Sequence, residues 1–274
     1  MSHTTPHSRS VLSAEKQLAV LIDADNAQPS VLEAVLQELA AYGEASVRRI
    51  YGDFTSPASA GWKTFLNQQT IKPVQQFAYT KGKNATDCAM IIDAMDLLHS
   101  GQFDGFCLVT SDSDFTGLAV RIREHGLRVY GIGEKKTPEA FRNACHKFIF
   151  TENLRGPATE VPASDKMEGA VTPGSESLDK GNQELPIDLI TTALEQTSDD
   201  SGWSHLGTFG ASLGKLKPDF DSRTYGHKKL SDLVKARTEV FSVEVRQKDL
   251  YVRSKIPQAE QGGGGQPATR PESK

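Results

Sequence analysis

Leu18-Ala19-Val20-Leu21-Ile22-Asp23-Ala24-Asp25-Asn26 is a short apolar run that stops abruptly in acids and an amide. A run apolar at every position reads as a strand buried on both faces, the pattern of a parallel sheet. A second run, Gly105-Phe106-Cys107-Leu108-Val109-Thr110-Ser111-Asp112-Ser113-Asp114-Phe115, ends the same way. Each is followed by a helix-like segment. In an open α/β sheet, ligands bind outside the carboxyl ends of the strands, so acids from two such ends can meet at one point. Converged carboxylates repel unless protons or a cation neutralise them. Hard oxygen ligands favour Mg²⁺ or Mn²⁺, and such a centre points to phosphoryl chemistry.

Outward from these two runs, strand candidates fall at 18–23, 46–51, 72–77, 105–110, 127–132 and 146–150, with helix-like segments between them. Pro29 suits a first helical position, and Val31, Leu32, Val35, Leu36 and Leu39 follow at helical spacing up to Gly43. Residues 86–99 carry Met90, Ile91, Met95 and Leu98 on one face. Further helices are expected at 115–125, closed by Gly126, and at 138–144. Alternating strands and helices imply a largely parallel sheet covered on both faces, over residues 16–154.

Residues 1–15 are polar and read as disordered. Residues 155–183 lose all periodicity to Pro157, Pro162, Pro173 and scattered acids, and read as a flexible linker. Periodicity returns over 184–254: Leu185, Ile187, Leu189 and Ile190, then Leu206, Phe209, Leu213 and Leu216, then Leu230, Leu233 and Val234. A strand pair follows at 240–245 and 250–252. Three helices and a hairpin match a winged helix-turn-helix. Residues 255–274, with Gly262 to Gly265, read as a disordered tail.

Among 274 residues the formal charge is −4, so a nucleic-acid partner must be held by local patches rather than a global basic field. Cys88, Cys107 and Cys145 lie in apolar segments without CxxC spacing, and read as buried free thiols. No apolar run reaches the ~18 residues that span a bilayer. The first ten residues have no apolar core of a signal peptide. The expectation is a cytoplasmic protein with no membrane partner.

If the sheet is parallel, Asp23, Asp25, Asn26, Asp53, Asp87, Asp112 and Asp114 all lie at its C-terminal edge. Singly, each also reads as an ordinary turn or capping residue. Together they read as a metal site, in which acids that do not bind the ion hold its waters or orient the attacking one. Asp93, Asp96 and Asp104 read as solvated or locally bonded groups. Lys81 and Lys83, just before Asp87, read equally as phosphate-screening charges and as surface residues. Gly131-Ile132-Gly133 lacks a third glycine at dinucleotide-binding spacing. His99, His125 and His146 read as structural.

Four stretches in order, namely 21–26, Tyr51-Gly52-Asp53, Lys83-Asn84-Ala85-Thr86-Asp87 and 111–115, resemble the NYN domain family of PIN-like metal-dependent ribonucleases over about residues 17–152. The resemblance implies a Mg²⁺- or Mn²⁺-dependent endoribonuclease of PIN-like three-layer fold. It implies Asp23, Asp87 and Asp112 as metal ligands, Asp114 as a further catalytic acid, and Asn26 and Asp53 as supporting residues. Residues 184–254 resemble a LOTUS, or OST-HTH, RNA-binding domain. The residues that carry this likeness are Trp203, Leu206-Gly207, Gly210, Leu213, Pro218-Asp219-Phe220, Tyr225-Gly226, Lys229-Leu230 and Leu233.

The expected reaction is hydrolysis of an RNA phosphodiester. Lys81 and Lys83 would screen backbone charge. Lys228, Lys229, Lys235 and Arg237 would hold RNA, with Tyr225 stacking on a base; the helix also reads as a solvated charged face, and the module as a site for a protein partner. Two alternatives stand beside this reading. One is a haloacid-dehalogenase-type phosphatase, since Asp23-Ala24-Asp25 imitates its strand-end pair, although Ala27 and the missing lysine motif depart from it. The other is a non-catalytic RNA-binding adaptor.

Overall fold

The computed structural model describes residues 15–55, 60–77, 84–154 and 184–255. The terminal segments, the 155–183 linker, Lys81 and Lys83 fall outside those residues.

The first part of the chain alternates strand and helix: β1 (Gln17–Asp23), α1 (Leu32–Leu39), β2 (Glu44–Gly52), α2 (Ala60–Gln68), β3 (Lys72–Gln75) and α3 (Ala85–His99). It continues with β4 (Gly105–Val109), α4 (Thr116–Glu124), β5 (Arg128–Gly133), α5 (Glu139–Ala144), β6 (Lys147–Phe150) and α6 (Thr151–Leu154). All strand pairs are parallel, in the order β3-β2-β1-β4-β5-β6. The helices cover both faces, so β1 and β4 are buried almost throughout, as their unbroken apolar runs require. Alternate residues of β1 serve opposite cores. Ala19 and Leu21 pack with Met90, Ala94, Phe115 and Ile122, whereas Leu18, Val20 and Ile22 pack with Leu32, Val35, Leu39 and Trp62. This is the mixed α/β, three-layer architecture expected from the sequence.

Gly131 and Gly133 serve this packing. A Cβ at Gly131 would lie 2.6 Å from the Cys145 sulfur, and one at Gly133 would lie 2.5 Å from the Thr110 carbonyl oxygen. Cys107 and Cys145 are buried, but Cys88 is exposed: its place on α3 faces away from the sheet, contrary to the expectation of three buried thiols.

The second part contains α7 (Ile187–Glu195), β7 (Ser204–His205), α8 (Leu206–Leu216), α9 (Leu230–Ala236), β8 (Phe241–Arg246) and β9 (Asp249–Ser254). Its antiparallel sheet has the order β7-β9-β8 and encloses a separate core with Ile190, Phe209, Leu213, Leu233 and Val252. The short β7 adds a third strand to the expected hairpin.

The two parts touch. β6 is the last strand of the large sheet, and its outer edge would otherwise present unpaired backbone groups. The Phe148 N–H donates to the Pro218 carbonyl at 3.0 Å. Lys147 Nζ donates to the Phe220 carbonyl at 2.9 Å, and Asn153 Nδ2 to Thr224 Oγ1 at 2.9 Å. Arg142 pairs with Asp219. Burial at this contact lowers the Lys147 pKa, opposed by the nearby Asp221 carboxylate.

Candidate metal centre

The strand order reverses between β1 and β4, the crevice where open α/β sheets bind ligands. Ile22 pairs with Val109, so Asp23 and Thr110 emerge side by side. Asp23 is fully buried. Its Oδ2 accepts hydrogen bonds from Thr110 Oγ1 and Asn26 Nδ2, both at 2.8 Å, and its Oδ1 accepts from the Asp25 N–H at 3.0 Å. These bonds lock its orientation.

Beyond β4, a 3₁₀ turn over Ser113–Phe115 leads into α4. Asp112 caps that turn, its Oδ1 accepting from the Asp114 N–H at 2.9 Å, while its own N–H donates to Thr110 Oγ1 at 3.1 Å. Asp87 lies in the first turn of α3. Carboxylate oxygens of Asp87, Asp112 and Asp114 all lie within 4.8 Å of one another. Asn84 Nδ2 donates to Asp114 Oδ2 at 2.9 Å, linking the start of α3 to the turn after β4.

The cost of this crowding appears at Asp87, whose pKa is pushed up to about 6 by burial and then by Asp23, Asp112, Asp114 and Asp25. Asp25 is raised too, by burial and by Asp23, with Asp53 adding to the effect and a Thr86 hydrogen bond opposing it. Asp53 accepts from Gln75 Nε2 at 2.8 Å and from the Thr55 N–H at 3.0 Å. Asp93 lies outside this group and pairs with Arg49 and the Tyr51 hydroxyl. Asp104 holds the Gln17 N–H at 2.8 Å, a local structural bond.

A divalent cation suits this donor set. The oxygens are anionic and hard, mutual repulsion remains to be relieved, and no histidine or thiol belongs to the group. The tightest cluster, however, contains Asp114 rather than Asp23. Thr110 and Asn84 stand within the quoted motifs but carry no role of their own in the sequence reading of the site. Thr110 is the residue directly after β4, and Asn84 sits one helical turn before Cys88; neither type signals a metal centre by itself.

In the second part, Lys228, Lys229 and Lys235 are exposed around α9. Arg237 lies 3.7 Å from Glu239. Tyr225 is only 7% exposed, with its ring against Phe220. It is a core residue with no face free for a base, and the aromatic type alone gave no warning of this. Trp203, by contrast, is half-buried, with the guanidiniums of Arg253 and Arg246 over its ring at 4.9 and 5.2 Å from the ring centre.

The NYN domain model matches residues 17–153, half of the chain. The chain belongs to the NYN domain family. The OST-HTH/LOTUS domain model matches residues 181–252. This pairing places the protein among PIN-like nucleases and joins to the nuclease domain a module of an RNA-binding family. No curated protein matches the chain. Among solved structures, an uncharacterized protein of Nitrosomonas europaea is 45% identical, covering 36% of this chain and all of its own, with a TM-score of 0.28. A Chromobacterium violaceum protein, solved over residues 175–257, is 27% identical over 31% of this chain and 99% of its own, with a TM-score of 0.23. A protein of unknown function from Vibrio parahaemolyticus is 18% identical, covers 50% of this chain and 93% of its own, and has a TM-score of 0.41. No helix among the described residues is long and apolar enough to cross a membrane.

Proposed function

We propose that this protein is a metal-dependent endoribonuclease that hydrolyses RNA phosphodiester bonds at the aspartate cluster, while its C-terminal module holds the RNA. The observation that carries this reading is the convergence of Asp87, Asp112 and Asp114 at the switch point of a parallel sheet. Asp87, Asp112 and Asp114 would hold Mg²⁺ or Mn²⁺, with Asp23 supplying fixed charge and a remaining lone pair on Oδ1. The cation, when bound, supplies Lewis-acid stabilisation of phosphate charge and makes water a stronger acid.

The chain's own residues have distinct tasks. Thr110 and Asn26 fix the Asp23 carboxylate, and Asn84 fixes Asp114. Asp114 or Asp53 orients the attacking water. The raised pKa of Asp87 reflects burial and carboxylate repulsion that a bound cation would offset. A new P–O bond forms to water oxygen, one ester P–O bond breaks, and the products are a phosphomonoester end and a hydroxyl end. Lys81 and Lys83 would screen the backbone on approach. Lys228 and Lys229 would hold phosphates at a distance, with the Arg253 guanidinium over Trp203 as a further cation.

The test is incubation of purified protein with labelled RNA in Mg²⁺, Mn²⁺ or EDTA, alongside a phosphomonoester. Metal-dependent RNA cleavage supports the reading. Turnover of the phosphomonoester alone would assign a phosphatase instead. RNA binding without cleavage would assign an adaptor.

A further inference from the structure

A cleft of ≈ 600 Å³ lies where the two parts of the chain meet, at the opposite end of the sheet from the acids. Arg123 on α4, Arg128 at the start of β5 and His146 before β6 line it from the nuclease side. Lys215 and Leu216 at the end of α8, with Gly214, line it from the other. Among the described residues, no carboxylate side chain lines it.

This lack of acids sets the cleft apart, because ion pairing is common among this chain's other arginines. Arg49, Arg121, Arg142, Arg223, Arg237 and Arg246 each face a carboxylate within ion-pair distance. Among the described residues, Arg123, Arg128 and Lys215 have no such partner. Arg123 is held in place by donating to the Asn143 and Ala144 carbonyls at 3.0 and 3.1 Å, which leaves its positive charge uncompensated. His146 Nδ1 accepts the Val129 N–H at 3.1 Å, so the neutral ring carries its proton on Nε2. Burial, then Arg123 and Arg128, lower the His146 pKa, which marks a positive local field. Three uncompensated cations in a concave site attract anions, and low-dielectric walls focus that field. The α8 wall sets apolar surface beside the Lys215 charge: Leu216 is 38% exposed, and a Cβ at Gly214 would meet nothing within 4 Å, so there is room there. Cations on both walls, with apolar surface at Leu216, suit a phosphate joined to a base.

We infer that this cleft between the nuclease and LOTUS domains is a second RNA site, in which Arg123, Arg128 and Lys215 grip the phosphodiester backbone away from the point of cleavage. β5 spans about 20 Å at ~3.3 Å per residue, so the grip lies well removed from the acidic edge. RNA is then held by a surface that both domains must build together. The inference rests on RNA being the substrate, but not on the metal or on turnover.

The experiment uses the full chain in EDTA, where binding is read without cleavage. Affinity for a labelled single-stranded RNA is measured against salt for wild type and for the double variant Arg128→Gln with Lys215→Gln. Both side chains are exposed, and matched melting temperatures check the fold. The expected result is several-fold weaker binding and a salt slope shallower by roughly 0.7 for each phosphate that is no longer neutralised. Inorganic phosphate is the second probe, read as thermal stabilisation. If phosphate stabilises wild type alone while RNA binding is the same in both proteins, the cleft takes a small phosphate and RNA occupancy is overturned. Equal RNA affinity and slope with no phosphate effect overturn the site altogether, as does a wild-type chain that binds no RNA. Loss of cleavage with retained RNA binding would sink the catalytic reading and leave this one standing.

Discussion

Arg223 of the LOTUS domain donates both terminal guanidinium nitrogens to the two carboxylate oxygens of Glu38 on α1, each at 2.9 Å, across 185 residues of sequence. The same guanidinium reaches Asp221 at 2.7 Å, and the side chains are 28% exposed for Arg223 and 21% for Glu38. Such a partly sheltered fork is worth about 2 kcal/mol when its partner is removed. A double-mutant cycle of Arg223→Ala and Glu38→Ala, read by denaturant unfolding, should give a coupling energy of roughly 1–3 kcal/mol. A coupling near zero would mean that the two domains do not hold this pair in solution.

The composition of 155–183 still invites protease there. Cleavage should not separate the products, because Phe148, Lys147, Asn153 and Arg142 all bond to the C-terminal part. The two pieces should co-elute on gel filtration after nicking. With Arg223→Ala they should separate more readily. Immediate separation of the wild-type pieces would contradict the docked arrangement.

Asp112→Asn should abolish cleavage and keep the fold. Asn retains an oxygen to accept the Asp114 N–H but removes charge from the cluster. Less repulsion among the remaining acids should leave the metal-free melting temperature unchanged or higher. Wild-type cleavage rates in a folded Asp112→Asn protein would remove this acid from the proposed centre.

Asp87 gives the metal-free protein a definite pH dependence. Its folded pKa of about 6 lies above the ordinary 3.8. Between those values the folded chain holds a proton that the unfolded chain has released, so this group's contribution to stability falls as pH rises through that window. Its full effect is present below about pH 4 and lost above about pH 6. The difference in melting temperature, Asp87→Asn minus wild type, should therefore grow in favour of the variant from pH 4 to pH 7. Mn²⁺ or Mg²⁺ at pH 7 should stabilise wild type and narrow that gap. A difference that is flat with pH would show that the carboxylates are not packed closely enough to interact.

β1 and β4 were legible because burial on both faces leaves a plain mark, the runs 18–22 and 105–109 with no polar interruption, whereas β2 and β3, exposed or half-buried along much of their length, carry only short β-branched stretches. That Asp23 and Asp112 emerge close together follows from where those runs end and from the strand order. The fine arrangement was not legible. Thr110 reaches Asp23 only because β1 and β4 are neighbours, and Asn84 reaches Asp114 across 30 residues. Tyr225 and Cys88 show the same limit from the other side. A tyrosine beside lysines can face inward, and a cysteine in an apolar helix can face out. Pro218-Asp219-Phe220 was visible as a motif, but ion pairs such as Arg142–Asp219 leave no periodic trace in the sequence.

Division of labour between the domains should show most clearly when RNA is scarce. The acidic edge repels phosphate in the absence of a cation, whereas Lys228 and Lys229 stand exposed at the start of α9. Lys228→Ala with Lys229→Ala should weaken cleavage at limiting RNA and change it little at saturation, since the lysines act on binding and not on the reacting phosphate. The loss should shrink as salt rises, because phosphate contacts weaken with salt. Removing the whole module is a harsher change. A chain ending near residue 154 uncovers the outer edge of β6 and leaves Lys147 and Glu38 without their partners. That fragment should be less stable and more prone to associate through the bared strand, so its lower activity would mix folding with binding. The double-lysine variant keeps the interface intact and separates the two effects. Equal cleavage by variant and wild type at limiting RNA would mean that these lysines serve another partner, such as a protein docking on α9.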